Sequence, residues 1–236
     1  AIAEWRRIAP VLHSMDRSSL LDVQALESYC RLWGLFSRSV RQLCVAAEGS
    51  QKPAAIVGKT MRGNPRPSAL AVVALRLGSQ FLDLARQFGL TPRTVWLTYS
   101  DKGRPALPKT MHEMRGNPSK RSDITDGQTE RDLLPHFAIG PAPAILGDEG
   151  TQHWQMLVDA LESVELANGL YRSTAIVGCF GHLLATRAYR LQRNSPIVVL
   201  DGQNTGRAIE NPLTLIFRKG SGLAAEAWKD FGMTPA

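Results

Sequence analysis

Cysteine is scarce in this chain: three residues (Cys30, Cys44, Cys179) in 236, with no Cys-x-x-Cys pair. An odd, sparse set of this kind argues for a reducing compartment and against both a disulfide framework and structural zinc. Long apolar runs are also missing, so no stretch reads as a membrane span, and no charged-then-apolar leader opens the chain. The five histidines (His13, His112, His136, His153, His182) are scattered, without an i, i+4 pair at metal-ligand spacing. There is no Gly-x-Ser-x-Gly elbow. Gly58-Lys59-Thr60 looks like the end of a phosphate-binding loop, but Pro53 stands where that loop needs its first glycine. Nothing in the residues demands a catalytic centre or a cofactor.

What is present is an ordinary globular composition, 44% hydrophobic, with 28 basic residues against 21 acidic ones and a net charge of +7. A basic balance suits a polyanionic partner, and its distribution along the chain carries more weight than its total. The strongest organising feature is recurrence. Trp5, Leu12, Leu21, Cys30, Leu35 and Arg38 return as Trp154, Leu161, Leu170, Cys179, Leu184 and Arg187, all 149 residues later. Phe88-Gly89-Leu90-Thr91-Pro92 is answered by Phe231-Gly232-Met233-Thr234-Pro235, and Asn64-Pro65 by Asn211-Pro212. The pattern predicts one helical module carried twice.

Apolar spacing predicts the elements. Trp5, Ile8, Leu12 and Met15 make one face of a helix over residues 2–15, in which Pro10 removes a donor and predicts a kink or an interruption. Asp16-Arg17-Ser18-Ser19 supplies cap chemistry for a second helix striped by Leu26, Tyr29, Cys30, Trp33, Val40 and Leu43 and fading at Gly49. Phe36 falls at the edge of that stripe, facing a partner chain. Gly63-Asn64-Pro65 is a turn, and Leu70, Val73, Leu77, Phe81, Leu84 and Phe88 mark a third helix closed by Gly89. The second copy repeats this with Trp154, Leu157, Leu161 and Val164, a break at Asn168-Gly169, and a stripe opened by Ile176, Cys179, Phe180 and Leu183. Ile197 to Leu200 reads as a strand before a tight Asp201-Gly202 turn, and a last helix over 213–231 carries Gly220 and Gly222, which predict a bend or break. Cys30, Cys179, Trp5 and Trp33 read as core residues, and His182 as a satisfied, partly buried histidine, rather than reactive, metal-binding or stacking groups.

Between the copies, residues 101–149 hold six of the 14 prolines and no sustained apolar period. They read as an extended arm or linker. Lys102, Arg104, Lys109, Arg115, Lys120 and Arg121 interleave with Pro and Gly against only Asp101 and Glu113. Such a segment can track a phosphate backbone without a fold of its own. A solvated acidic patch (Asp123, Asp126, Glu130, Asp132) follows. The expected fold is therefore all-α: two similar helical-hairpin modules of about three helices each, residues 1–100 and 150–236, joined by a Pro-rich basic arm at 101–149. Charge and pattern alone leave three functions open: DNA binding through the arm, a helical adaptor whose arm binds a protein, and a metal-dependent nuclease using Asp123, Asp126 and Glu130.

A set of motifs narrows that choice. Gly103-Arg104-Pro105, Lys109-Thr110-Met111 and the run Arg115-Gly116-Asn117-Pro118-Ser119-Lys120-Arg121 resemble the opening of phage terminase small subunits. Glu4-Trp5-Arg6-Arg7-Ile8-Ala9-Pro10 resembles the Trp-initiated helix that follows the arm in that family, and Leu20 to Trp33 its second helix. The two Asn-Pro steps and Phe-Gly-x-Thr-Pro ends resemble its third helix and terminator. The resemblance implies a non-enzymatic subunit that recognises double-stranded viral DNA and presents it to a large ATPase/nuclease subunit. It also implies a homo-oligomeric ring in the cytoplasm of an infected bacterial host, with no membrane and no cofactor. One copy per chain is the family pattern. A tandem copy, an armless first module and a start at Ala1 suggest a truncated, fused or recombined gene product.

Overall fold

A computed structural model describes residues 1–14, 22–47, 56–60, 63–92, 137–163, 166–193, 196–200 and 208–233. Within them helix, helix, short antiparallel hairpin and helix occur in that order, and then again. The first set is α1 (Ile2–Ser14), α2 (Asp22–Ala47), β1 (Val57–Lys59), β2 (Pro65–Pro67) and α3 (Ala69–Gln87). A 3-10 turn at Ala144–Leu146 leads into the second set: α4 (Gly147–Ser163), α5 (Arg172–Gln192), β3 (Val198–Leu200), β4 (Ala208–Glu210) and α6 (Pro212–Asp230). The fold is all-α apart from the two small hairpins, which pair Gly58 with Arg66 and Val199 with Ile209 at their centres.

Local chemistry accounts for the element boundaries. Ser68 caps α3 by accepting from the amide of Ala71, and Asn211 caps α6 by accepting from that of Leu213, with Pro212 in the first turn. Both helices end alike. Gly89 and Gly232 take positive φ (68° and 69°), and the next amides, Leu90 and Met233, bond back to Ala85 and Trp228. This is the left-handed stop that glycine makes without steric cost. The two Asn-Pro steps are not equivalent, however: Asn64-Pro65 opens strand β2, whereas Asn211-Pro212 opens a helix.

Neither α1 nor α6 is interrupted at the proline and glycines expected to kink, bend or break them. Pro10 lies inside a continuous α1. The carbonyl it orphans belongs to Arg6, and both residues are exposed, so water replaces the lost bond. Helix α6 is continuous through Gly220 and Gly222. Gly220 is kept small by its neighbour: a Cβ there would lie 2.8 Å from the Gly181 carbonyl oxygen and 3.0 Å from the Ala185 nitrogen of α5. Gly178 and Gly181 meet α6 in the same way, against Trp228 and Ala224. The glycines that weaken helix propensity let two backbones approach closely.

The two halves share one core. Helix α5 is buried around most of its circumference, from Ser173 through Ala188, because α3, α4 and α6 all pack on it. Phe36 is fully buried, its ring meeting Phe180 edge-on at 5.5 Å and lying 5.7 Å from Trp33. The face assigned to a partner chain is thus covered by the second half of the same chain. Gly78 of α3 packs on Leu223 of α6, and Arg86 of α3 donates to the buried Asp230 at 3.0 Å, so these two helices run in the same direction. Residues 137–149, at the end of the Pro-rich segment, dock on the second half: Trp154 donates to the Gly140 carbonyl at 3.3 Å, and Leu146 is fully buried.

Candidate nucleic-acid interface

The six arm residues Lys102, Arg104, Lys109, Arg115, Lys120 and Arg121 lie outside the described residues, as does the acidic run Asp123, Asp126, Glu130 and Asp132. The Asp201-Gly202 turn lies outside them as well. Among the described residues no group of three or more His, Cys, Asp or Glu side chains is placed to hold a metal. Gly58-Lys59-Thr60 forms strand β1 and the start of its turn, with the Thr60 hydroxyl accepting from the Asn64 amide. This is a hairpin rather than a loop opening a helix. No described helix is long and apolar enough to cross a membrane.

The cysteines are packing residues. Burial pushes the Cys30 thiol up to about 11, with the Glu4 carboxylate adding to the effect, and burial alone pushes Cys179 up to about 12. His182 is more open than the partly buried position expected for it. It is exposed on α5 and meets the His153 ring of α4 edge-on at 4.8 Å. Burial and the neighbouring His182 hold His153 below the usual imidazole range, against the pull of Glu149.

A basic cleft lies where the two halves meet. It has a volume of about 470 Å³ and is walled by α1, α2, the start of α5 and the segment through Pro143 and Ile145. Gly34, Ser37, Arg38 and Arg41 of α2 face it, because spacings of three and four residues stack on one side of a helix. Arg7 and Arg172 contribute from α1 and α5.

These four arginines divide into two kinds. Arg7 clamps the buried Glu4 carboxylate with two bonds, at 2.6 and 3.0 Å, and donates to the Gly169 carbonyl at 2.6 Å and the Ser173 hydroxyl at 2.8 Å. Tyr29 and Ser173 also donate to Glu4, completing a network that ties α1 and α2 to α5. Burial and the Glu4 charge hold the Tyr29 phenol well above its ordinary value, so it stays a donor. Arg172 donates to the carbonyls of Ile139 and Pro141 and stacks 5.1 Å from the Trp154 ring centre, fixing the approach segment to the second half. Both are committed to structure. Arg38 and Arg41 are exposed and form no ion pair among the described residues, and the buried Ser37 hydroxyl beside them has no hydrogen-bond partner there. Two exposed guanidinium groups one helical turn apart, with no ion-pair partner among the described residues, suit phosphate oxygens.

Sequence reasoning did not single out Arg38 and Arg41 as binding residues. Arg38 stood out only as a recurring landmark, and its counterpart Arg187 is spent on Glu149 at 2.7 Å. What separates the two is the acidic neighbour that α5 has and α2 lacks, a difference made by the fold.

No curated protein and no solved structure matches the chain. Residues 1–94, which run from α1 through the end of α3, match the family described as phage terminase, small subunit, and over that stretch the chain is similar to it.

Proposed function

We propose that this chain is a non-enzymatic DNA-binding subunit of a phage DNA-packaging terminase, which recognises viral duplex DNA and presents it to a large ATPase/nuclease subunit in the cytoplasm of an infected bacterium. The match of residues 1–94 carries the reading. It is supported by the +7 charge, the basic segment at 101–121 and the cleft with its two uncommitted arginines. In this reading residues 1–100 and 150–236 are tandem copies of one module, the repeated element order and the paired glycine stops being their common inheritance. The arm residues Lys102, Arg104, Lys109, Arg115, Lys120 and Arg121 neutralise phosphates along the duplex, and the chain works as a homo-oligomer.

Neutralising one phosphate contributes roughly 0.9 to the slope of log affinity against log salt. Replacing Arg115, Lys120 and Arg121 with alanine should weaken binding to unrelated duplexes alike and lower that slope by about three. Replacing Arg38 and Arg41 should lower it by about two. Unchanged affinity and slope in both variants would refute the assignment of these residues. Failure of the chain to bind any duplex, combined with capture of a protein partner by the arm, would replace the DNA reading with that of a helical adaptor.

A further inference from the structure

The two halves of the chain pack on each other through different faces. Equivalence between them is set by the backbone: the Ser68 amide donates to the Ile56 carbonyl at 2.8 Å, and the Asn211 amide to the Ile197 carbonyl at 2.9 Å. Each of these bonds ties the cap of the last helix to the residue preceding or adjoining the first strand of the hairpin. Ile56 thus corresponds to Ile197 and Val57 to Val198. Helices α3 and α6 correspond at an offset of 143, from Ser68 and Asn211 to Phe88 and Phe231.

On this register, α3 uses Gly78 and Arg86 to meet Leu223 and Asp230 of α6. The counterparts of Leu223 and Asp230 on α3 are Gln80 and Gln87, both exposed. A two-fold axis would bury both sets, so the contact is heterologous, of the kind that can be continued by a further copy.

The apolar residues bear this out at both ends. In the first half the hairpin lies against α6 and Ile56 is 4% exposed; in the second half Ile197 is 66% and Val198 52% exposed. Conversely, Ile216 of α6 is 1% exposed, whereas its counterpart on α3, Val73, is 46% exposed beside the exposed Val72. Among the described residues, each half therefore leaves uncovered an apolar position whose counterpart is buried in the other half.

We propose that the β3–β4 hairpin, through Ile197 and Val198, receives α3 of a second copy of this chain, through Val72 and Val73. The contact repeats head to tail the one that α6 makes on the β1–β2 hairpin. Tyr189 and Phe217, whose rings lie 6.0 Å apart, are also exposed on the receiving half. The inference rests on the homo-oligomer of the reading above and names its surfaces.

The test uses the full chain and two variants at exposed positions, Ile197→Asp with Val198→Asp, and Val73→Asp, measured by native mass spectrometry and sedimentation velocity. The wild type should form assemblies. Each variant should collapse to the 25.9 kDa single chain with an unchanged circular dichroism spectrum. Mixed together, the two variants should form a one-to-one pair and nothing larger, because each keeps the end that the other has lost. A wild-type assembly untouched by either variant would overturn these surfaces while leaving the oligomer intact. A pair restored by neither mixing nor reversion of one end would overturn the head-to-tail geometry. A monomeric wild type would overturn both the surfaces and the oligomer.

Discussion

Two glycines in α6, two residues apart, should respond to the same substitution with opposite signs. Gly222 is exposed, and a Cβ added there meets nothing within 4 Å. Gly222→Ala removes only the glycine penalty in a helix, a gain of up to about 1 kcal/mol. Gly220 has the same intrinsic gain on offer, but its added Cβ would sit 2.8 Å from the Gly181 carbonyl oxygen and 3.0 Å from the Ala185 nitrogen. Both neighbours are backbone in the most buried helix of the protein, so neither can rotate away. Relief requires α5 and α6 to separate, and overpacking of this kind costs typically 1–3 kcal/mol and occasionally more. The net expectation for Gly220→Ala is destabilisation by up to about 2 kcal/mol. At roughly 2–4 °C per kcal/mol for a chain of this size, Gly222→Ala should raise the melting temperature slightly and Gly220→Ala should lower it by several degrees. Thermal and urea unfolding followed by circular dichroism read both. Shifts of the same sign and size would refute the close approach of α5 and α6.

The Glu4 network should be similarly sensitive. Arg7→Met leaves a buried carboxylate held only by Tyr29 and Ser173, costing roughly 3 kcal/mol, and adding Glu4→Gln should recover part of the loss in urea unfolding. His153 is held below its ordinary value, so the unfolded state takes up its proton first as pH falls. Stability should decline on acidification from about 6.5 downward, and His153→Gln should flatten that decline in melting curves measured from pH 7.5 to 5. Cys30 and Cys179, raised to about 11 and about 12, should react with a thiol reagent at neutral pH only in denaturant. Rapid labelling of both in the native protein would contradict their burial.

Much of the fold was legible because periodicity and terminators are local. The Trp5 and Leu12 stripe, the 3.6-residue spacing through Tyr29, Trp33 and Val40, and the Gly89 stop each follow from chemistry within a few residues, and the elements formed where that chemistry put them. What could not be read was which apolar face meets which. Phe36 at the edge of its stripe looked like a surface for another chain because nothing local shows that Phe180, 144 residues on, fills it. Gly220 looked like a helix breaker because propensity is local, while the carbonyl it accommodates belongs to α5. Pro10 broke nothing because its orphaned carbonyl reaches water. The cleft was missed for a related reason. Arg38 and Arg41 have the same spacing as any solvent-facing pair, and only the arrival of α5 and residues 143–145 turns that face into the wall of a basic cleft.

Duplex binding as a function of salt bears most directly on the account. Six arm cations and two cleft arginines give up to about eight phosphate contacts and a log–log slope near −7. Between 50 and 200 mM salt, the affinity of the full chain for duplex DNA should then fall by roughly four orders of magnitude. Binding that is absent at 50 mM, or that hardly changes across this range, would contradict a phosphate-tracking DNA-binding subunit.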